Sequence, residues 1–393
     1  MHPGTAPDGS RAELRAAMAA LPESGIVEVI NRGREVPGLI PLWVGEGDLP
    51  TPPVIAEAAA RALAEGHTFY TWQRGIPPLR DALARYLGRV HGAEVAPERI
   101  FVTASGMQAI MLTLQAVLDP GTELVTTAPI WPNVFSVLPI LGAVPRFVPL
   151  ERSDDGWRLD LDRLFAACGP RTRAVFLNAP GNPTGWMMPR ADMAALRDFC
   201  RARGLWLIAD EVYARIVYDA PAAPSFLEVC DPDERLIVIN SFSKTWAMTG
   251  WRIGWVVAPA EFGQVYENLI QYNTSGVATF LQHAAVTAVE EGEPFVAALV
   301  ERCRAGRDLV CARMAAWPRV RFARPEGAFY LFFSVAGEPD SRALALRLIE
   351  AAGVGLAPGT AFGPGGEGHL RLCFATSADR LTAALDRLAP VLA

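Results

Sequence analysis

The sequence predicts an α/β protein with a seven-stranded, mostly parallel sheet in a large domain and a second, smaller α/β domain. Three observations carry this. Between about residues 99 and 258, short runs rich in Val, Ile, Leu or Phe recur, each followed by a turn and often by a helical stretch. The runs RIFVT, ELVTT, PRFVPL, RAVFLN, LWLIAD, LIVIN and GWVVA are mostly continuous in apolar character instead of alternating, as in a sheet covered on both faces. At 393 residues and 51% hydrophobic, the chain can bury two cores, so two domains are expected.

Taken in order, residues 1–12 are rich in Pro, Gly and Ala and are expected to be disordered. Residues 46–280 are expected to form the large domain, and 13–45 with 281–393 the small one. From about 280 to 314, TFLQHAAVTAVEEG and FVAALVERCRAGRDLVCARM have helical periodicity and no proline after Pro294, which suits a connection between domains. Beyond it, GAFYLFFSV, RALALRLIEAAGV and HLRLCFA read as strand, helix and strand.

Composition narrows the partners. Net charge is −6 and arginine is spread along the chain, which argues against a nucleic-acid footprint and leaves small molecules as the expected partners. No apolar run approaches bilayer length, and the opening MHPGTAPDGSRAELRAAMAALP lacks the apolar core of a secretory signal, so a cytoplasmic protein is expected. The six cysteines stand apart with no CxxC and read as small buried residues. The histidines, His2, His67, His91, His283 and His369, lack metal-ligand spacing, and no GxSxG string appears. No metal site is expected.

One residue stands out. Among 36 lysines and arginines, Lys244 in SFSKTWAMTGWRIGW is the single lysine. Arginine cannot be deprotonated in a protein, whereas a desolvated lysine can lose its proton and attack a carbonyl. Lys244 is therefore a candidate nucleophile, with Arg252 as the neighbouring charge expected to lower its pKa. Ligands of parallel sheets bind beyond the carboxyl ends of the strands, which makes the residues following each run informative. There stand Asn178 before PGNPTG, Asp210 in DEVY, SFSK after LIVIN, and ASGMQAI opening a helix after RIFVT.

Six strings, YTWQRG, VTASGMQAI, NAPGNPTG, DEVYAR, SFSKTWAMTGWRIGW and GHLRLCFATS, resemble the class I/II aminotransferases, pyridoxal-phosphate enzymes of fold type I, in that family's order and across nearly the whole chain. The resemblance implies an enzyme with pyridoxal phosphate as cofactor, amino acids and 2-oxoacids as substrates, and a homodimer as the active unit. It makes Lys244 the Schiff-base lysine and proton carrier. Asp210 matches the anion facing the pyridine nitrogen, a charge that keeps that nitrogen protonated. Asn182 and Tyr213 match donors to the phenolic oxygen, and Asn178 a second asparagine near Asp210 or the ring. Ser105, Gly106 and the Met107 amide match the phosphate turn, with Ser241, Ser243 and the forked donor Arg252 as further phosphate ligands. Tyr70 matches a tyrosine reaching the phosphate of the neighbouring subunit. Trp131 matches the aromatic stacked on the ring, although a buried structural tryptophan has the same signature. Arg371 matches the arginine that takes the substrate α-carboxylate, helped by the Gly45 backbone and Asn182.

Two departures bear on specificity. Relatives acting on aspartate often carry a lysine where Met107 stands, in GGKQAL against SGMQAI here. GEGD replaces the usual GEPD, so the loop at Gly47 is expected to be more flexible. Met107, Trp72 and Trp131 point to apolar or aromatic amino acids, while Arg74 is a possible partner for an acidic group. The residues also suit a carbon–sulfur β-lyase of the same fold and, with less support, a pyridoxal-phosphate-binding regulator without turnover. GPGGEG near residue 365 is expected to be a mobile cover over Arg371.

Overall fold

The computed structural model describes residues 14–21, 23–153 and 156–393. The segment 1–12 expected to be disordered lies outside them. Strand β1 (Ile40–Pro41) precedes the strands of the large sheet: β2 (Ile100–Thr103), β3 (Glu123–Ala128), β4 (Val144–Ser153), β5 (Gly156–Leu159), β6 (Thr172–Asn178), β7 (Trp206–Asp210), β8 (Leu236–Ser241) and β9 (Gly254–Val257). They lie in the order β2-β9-β8-β7-β6-β3-β4-β5. All seven apolar runs are strands of this sheet. The eighth strand, β5, is the correction to the sequence reading: it pairs antiparallel with β4, with Arg158 set between Trp157 and Leu159. Four alternating residues on an edge carry none of the continuous apolar signal that marks the inner strands.

Successive residues of a strand point to opposite faces, and the sheet's two cores follow that period. In β8, Leu236 and Val238 enter one buried cluster while Ile237 and Ile239 enter the other. Burial of each such aliphatic side chain is worth about 1.5–3 kcal/mol, so a slip of one residue in a central strand would exchange both sets at once. This pins the register, and with it the position of every residue at the strand ends.

Direction decides where the chemistry collects. β3, β4, β6, β7 and β8 are parallel, and β9 is antiparallel to both β8 and β2. The carboxyl ends of β2, β6, β7 and β8 therefore meet the amino end of β9 along one edge. Thr103 and Ser241 both pair with Gly254 there, and Asn178 pairs with Asp210.

A four-stranded antiparallel sheet is formed by β10 (Val320–Phe322), β11 (Tyr330–Val335), β13 (Ala357–Pro358) and β14 (His369–Cys373), in the order β10-β11-β14-β13. Between them in the chain, β12 (Val354–Gly355) pairs with β1, tying residues 40–41 to this part of the molecule. Helices Thr279–Glu291 and Glu293–Ala315 join the two sheets in the chain, where helical periodicity places them. No helix among the described residues is long and apolar enough to cross a membrane.

Candidate active site

A cavity of about 420 Å³ opens at the strand-end edge of the large sheet. Gly45, Gly106, Met107, Trp131, Asn178, Asn182, Asp210, Tyr213, Ser241, Ser243, Lys244, Arg252 and Arg371 all line it. These positions span more than 300 residues of sequence, and the fold gathers them into one space. Ser105 sits directly behind Gly106 as the cap of helix Gly106–Val117. Tyr70 does not reach this cavity: it is 95% exposed on the same protomer.

At one end is an anion-binding corner. Ser105 adopts φ 114°, an unusual conformation for a residue with a side chain, and its Oγ accepts from Gln108 N at 3.1 Å. Ala109 N bonds the Ser105 carbonyl, so the first-turn amides ahead of these bonds, Gly106 and Met107, stand at the cavity wall. Gly254 permits this approach, since a Cβ there would lie 2.8 Å from Gly106 N and from Asn240 O. Ser241 Oγ donates to Ser243 Oγ at 2.8 Å or to the Ile253 carbonyl at 3.3 Å. Arg252 is exposed, and its Nη1 donates to the Thr249 carbonyl at 2.5 Å. Amides at a helix start, hydroxyls and a guanidinium suit a phosphate.

Asp210 ends β7 and accepts from Val212 N at 3.2 Å. Burial pushes its carboxyl up to about 7, against that hydrogen bond and the nearby Lys244 charge. A carboxyl so placed gains from a cation, and a protonated ring nitrogen is one. Asn178 serves a neighbouring purpose: its Nδ2 donates to the Asp210 carbonyl at 3.2 Å, and its Oδ1 accepts from Asn182 N at 2.9 Å. It shapes the backbone of the turn, and its side-chain bonds are to main chain instead of to the Asp210 carboxylate.

Lys244 lies in the short helix Phe242–Thr245 after β8, and its Nζ donates to the Gly45 carbonyl at 2.5 Å. Burial lowers its pKa to about 8, against Cys373 and Glu46, while the charges of Arg371 and Arg252 push the same way as burial. The sequence expectation named Arg252 as the lowering influence; desolvation is the larger cause, and Arg371 precedes Arg252. The Gly45 loop is anchored one turn on, because Asp48 accepts from Arg302 at 2.7 and 2.8 Å, Thr376 Oγ1 at 2.9 Å and Ser377 N at 3.0 Å. The freedom expected of Gly47 is limited by these neighbours.

The opposite wall is built by β11, β14 and the segment before Gly45. Arg371 is 2% exposed; Nη1 donates to Asn182 Oδ1 at 2.8 Å and Nη2 to the Trp43 carbonyl. Its Nε is buried without a hydrogen-bond partner, and it forms no salt bridge among the described residues. A buried guanidinium left without an anion is costly unless a ligand brings one. Tyr213 Oη meets Tyr330 Oη at 2.5 Å, and burial raises both phenols well above their ordinary range.

The sequence reading missed Tyr330, Trp43, Ile26 and Ile30, all at the cavity wall. Tyr330 had one signal, the hydroxyl inside the apolar run GAFYLFFSV; the others read as ordinary core. Within one protomer, three expected contributors do not line the cavity. Arg74 is bound to Glu267 at 2.6 Å and lies over Phe101, so its charge is already matched. Trp72 is 64% exposed and does not line the cavity. The GPGGEG turn also lies outside the lining and is held by Glu367, which accepts from Ser341 N at 2.8 Å.

The family described as aminotransferase class I and II matches residues 37–388. The arginine–pyruvate transaminase of Pseudomonas aeruginosa is 37% identical over 363 residues, covering 92% of this chain and 91% of that protein. Aromatic-amino-acid aminotransferase 2 of Thermococcus litoralis is 33% identical over 376 residues, covering 94% and 95%. In three dimensions, Thermus thermophilus aspartate aminotransferase with maleate superposes with a TM-score of 0.91 at 35% identity, covering 97% of this chain and all of that one.

Proposed function

This chain belongs to the class I and II aminotransferases, pyridoxal-phosphate-dependent enzymes, and from that premise we propose that it moves the amino group of an apolar or aromatic L-amino acid to a 2-oxoacid in two stages. The observation that carries the reading is Arg371, a buried guanidinium with a free Nε, on the same cavity as Lys244 and Asp210. An α-carboxylate would give that arginine its missing anion and set the substrate Cα toward Lys244.

When bound, pyridoxal phosphate supplies an aldehyde and a ring that withdraws electrons. The phosphate would be held by the Gly106 and Met107 amides with Ser105, Ser241, Ser243 and Arg252. Asp210 would face the ring nitrogen, Tyr213 and Asn182 the phenolic oxygen, and Trp131 the ring face. Lys244 Nζ, already depressed to about 8, would take the proton from the substrate Cα and deliver it to the cofactor carbon that began as the aldehyde. A base poised near the working pH favours both transfers.

Substrate preference follows from the lining. Among the described residues, no ionisable side chain other than tyrosine lines the cavity beyond Lys244, Arg252, Arg371 and Asp210, while Ile26, Ile30, Trp43, Val44, Met107 and Ile110 do. Among the described residues, a distal carboxylate or guanidinium would find no opposite charge in the cavity beyond those already given a role. Among the relatives, one is named for aromatic amino acids and others for aspartate or arginine, so the lining and not the relatives' names supports this preference.

Dimerisation completes the reading. Phe69 (84%), Tyr70 (95%) and Tyr272 (82%) are exposed together with Trp72, an aromatic surface that a second copy would cover while bringing Tyr70 to the phosphate. The domain division at 46–280 against 13–45 plus 281–393, and a cytoplasmic setting, belong to the same proposal.

The test is a donor panel with the loaded enzyme and a 2-oxoacid acceptor, following the new amino acid by chromatography. Phenylalanine, tyrosine or leucine should exceed aspartate, glutamate and arginine in kcat/KM by about tenfold or more. Preference for a charged donor would overturn the substrate class; pyruvate and ammonia without an acceptor would identify β-elimination instead.

A further inference from the structure

We infer that Tyr330 is a positioning residue joining the two sides of the cavity: its hydroxyl orients the Tyr213 proton, and its ring supports the Arg371 guanidinium. The first half rests on the reading above that Tyr213 faces the phenolic oxygen of the bound cofactor.

Register places the residue. Phe332 of β11 pairs with Arg371 of β14, and Tyr330 with Cys373. Residues two apart share a sheet face, so Tyr330 is a diagonal neighbour of Arg371. The Arg371 Cζ lies 4.5 Å from the centre of the Tyr330 ring and 4.8 Å from that of Phe362. With no carboxylate paired to it among the described residues, this cation is stabilised by aromatic faces in addition to its two hydrogen bonds.

The hydroxyl stands at a crowded point. A Cβ added to Gly45 would lie 2.1 Å from Tyr330 Oη, so the phenol presses against the loop whose carbonyl takes Lys244 Nζ. Tyr330 Oη has a single hydrogen-bond partner among the described residues, Tyr213 Oη at 2.5 Å. Burial keeps both phenols protonated. Each phenol can donate one proton and accept another. With the Tyr330 proton lying between the oxygens, the Tyr213 proton is free to point into the cavity that Tyr213 lines. A donor that is itself receiving a hydrogen bond donates more strongly. Tyr330 thereby favours a negative phenolic oxygen on the cofactor while holding the carboxylate arginine in place.

Substitution separates the two parts. Visible absorption of the loaded enzyme is titrated against pH for wild type, Tyr330→Phe, Tyr330→Leu and Tyr213→Phe, and the Kd of the unreactive carboxylate 3-phenylpropionate is measured for each. Tyr330→Phe should raise the spectral midpoint by roughly half to one pH unit and leave the Kd within about twofold. Tyr330→Leu should raise the midpoint similarly and weaken the carboxylate about tenfold. If Tyr213→Phe moves the midpoint and Tyr330→Phe does not, the hydroxyl role is wrong and Tyr330 only packs. If Tyr213→Phe leaves it in place, the placement of Tyr213 at the phenolic oxygen has failed, and the hydroxyl role with it. An unchanged Kd in Tyr330→Leu would overturn the role of the ring.

Discussion

The two walls of the cavity are finished to different degrees. On the large-sheet side polar groups answer one another before any ligand arrives: Ser241 with Ser243, Asn178 with Asn182, Asp210 with Val212 N. On the opposite wall Arg371 is buried with Nε free and, among the described residues, no carboxylate to pair with. The first wall is a preformed cradle. The second holds a buried cation that an anionic ligand would satisfy. A site that keeps its cofactor and exchanges its substrate benefits from that division, because the resident group is held by many moderate contacts and the visitor by one strong, specific charge pair.

Breaking the cradle side at its reactive group should have the largest effect. Lys244→Arg preserves the charge but removes the ability to shed a proton, so turnover should fall at least about a thousandfold in a coupled assay. A proton can remove the same group reversibly. Because burial holds Lys244 at about 8, the free-amine fraction falls as pH drops below that value. Cofactor uptake by stripped enzyme, followed by absorbance, should therefore be about a hundredfold slower at pH 6 than on the plateau above pH 8. A pH-independent uptake would place the amine's titration elsewhere.

The substrate wall should give a smaller and different loss. Arg371→Lys exchanges a planar fork for a point charge, and kcat/KM should drop roughly tenfold to a hundredfold, mostly through KM. An equal fall in kcat alone would mean that the arginine acts after binding. The smallest change sharpens the comparison without breaking it. Met107→Lys supplies a cation on the side-chain path, and kcat/KM for aspartate should rise about tenfold relative to phenylalanine. No gain would show that a distal carboxylate never approaches this position.

Sequence by itself carried the cradle wall because its chemistry is local. Apolar runs announce strands, and the residues that close each run, Asn178, Asp210 and Ser241, fall on one edge once the runs are parallel. The lone lysine and its family resemblance added Lys244, and matching flanks added Arg371. Less legible were features set by contact between distant segments. Tyr330 and Trp43 read as core because being near Arg371 depends on strand pairing, not on spacing. Arg74 looked available because Glu267, which matches its charge, lies far along the chain. The edge strand β5 was too short and too alternating to stand out. What only the tertiary structure decided was whether each polar group is satisfied: sequence names donors and acceptors, but burial and pairing across the fold determine that Arg74 is matched and Arg371 is left waiting.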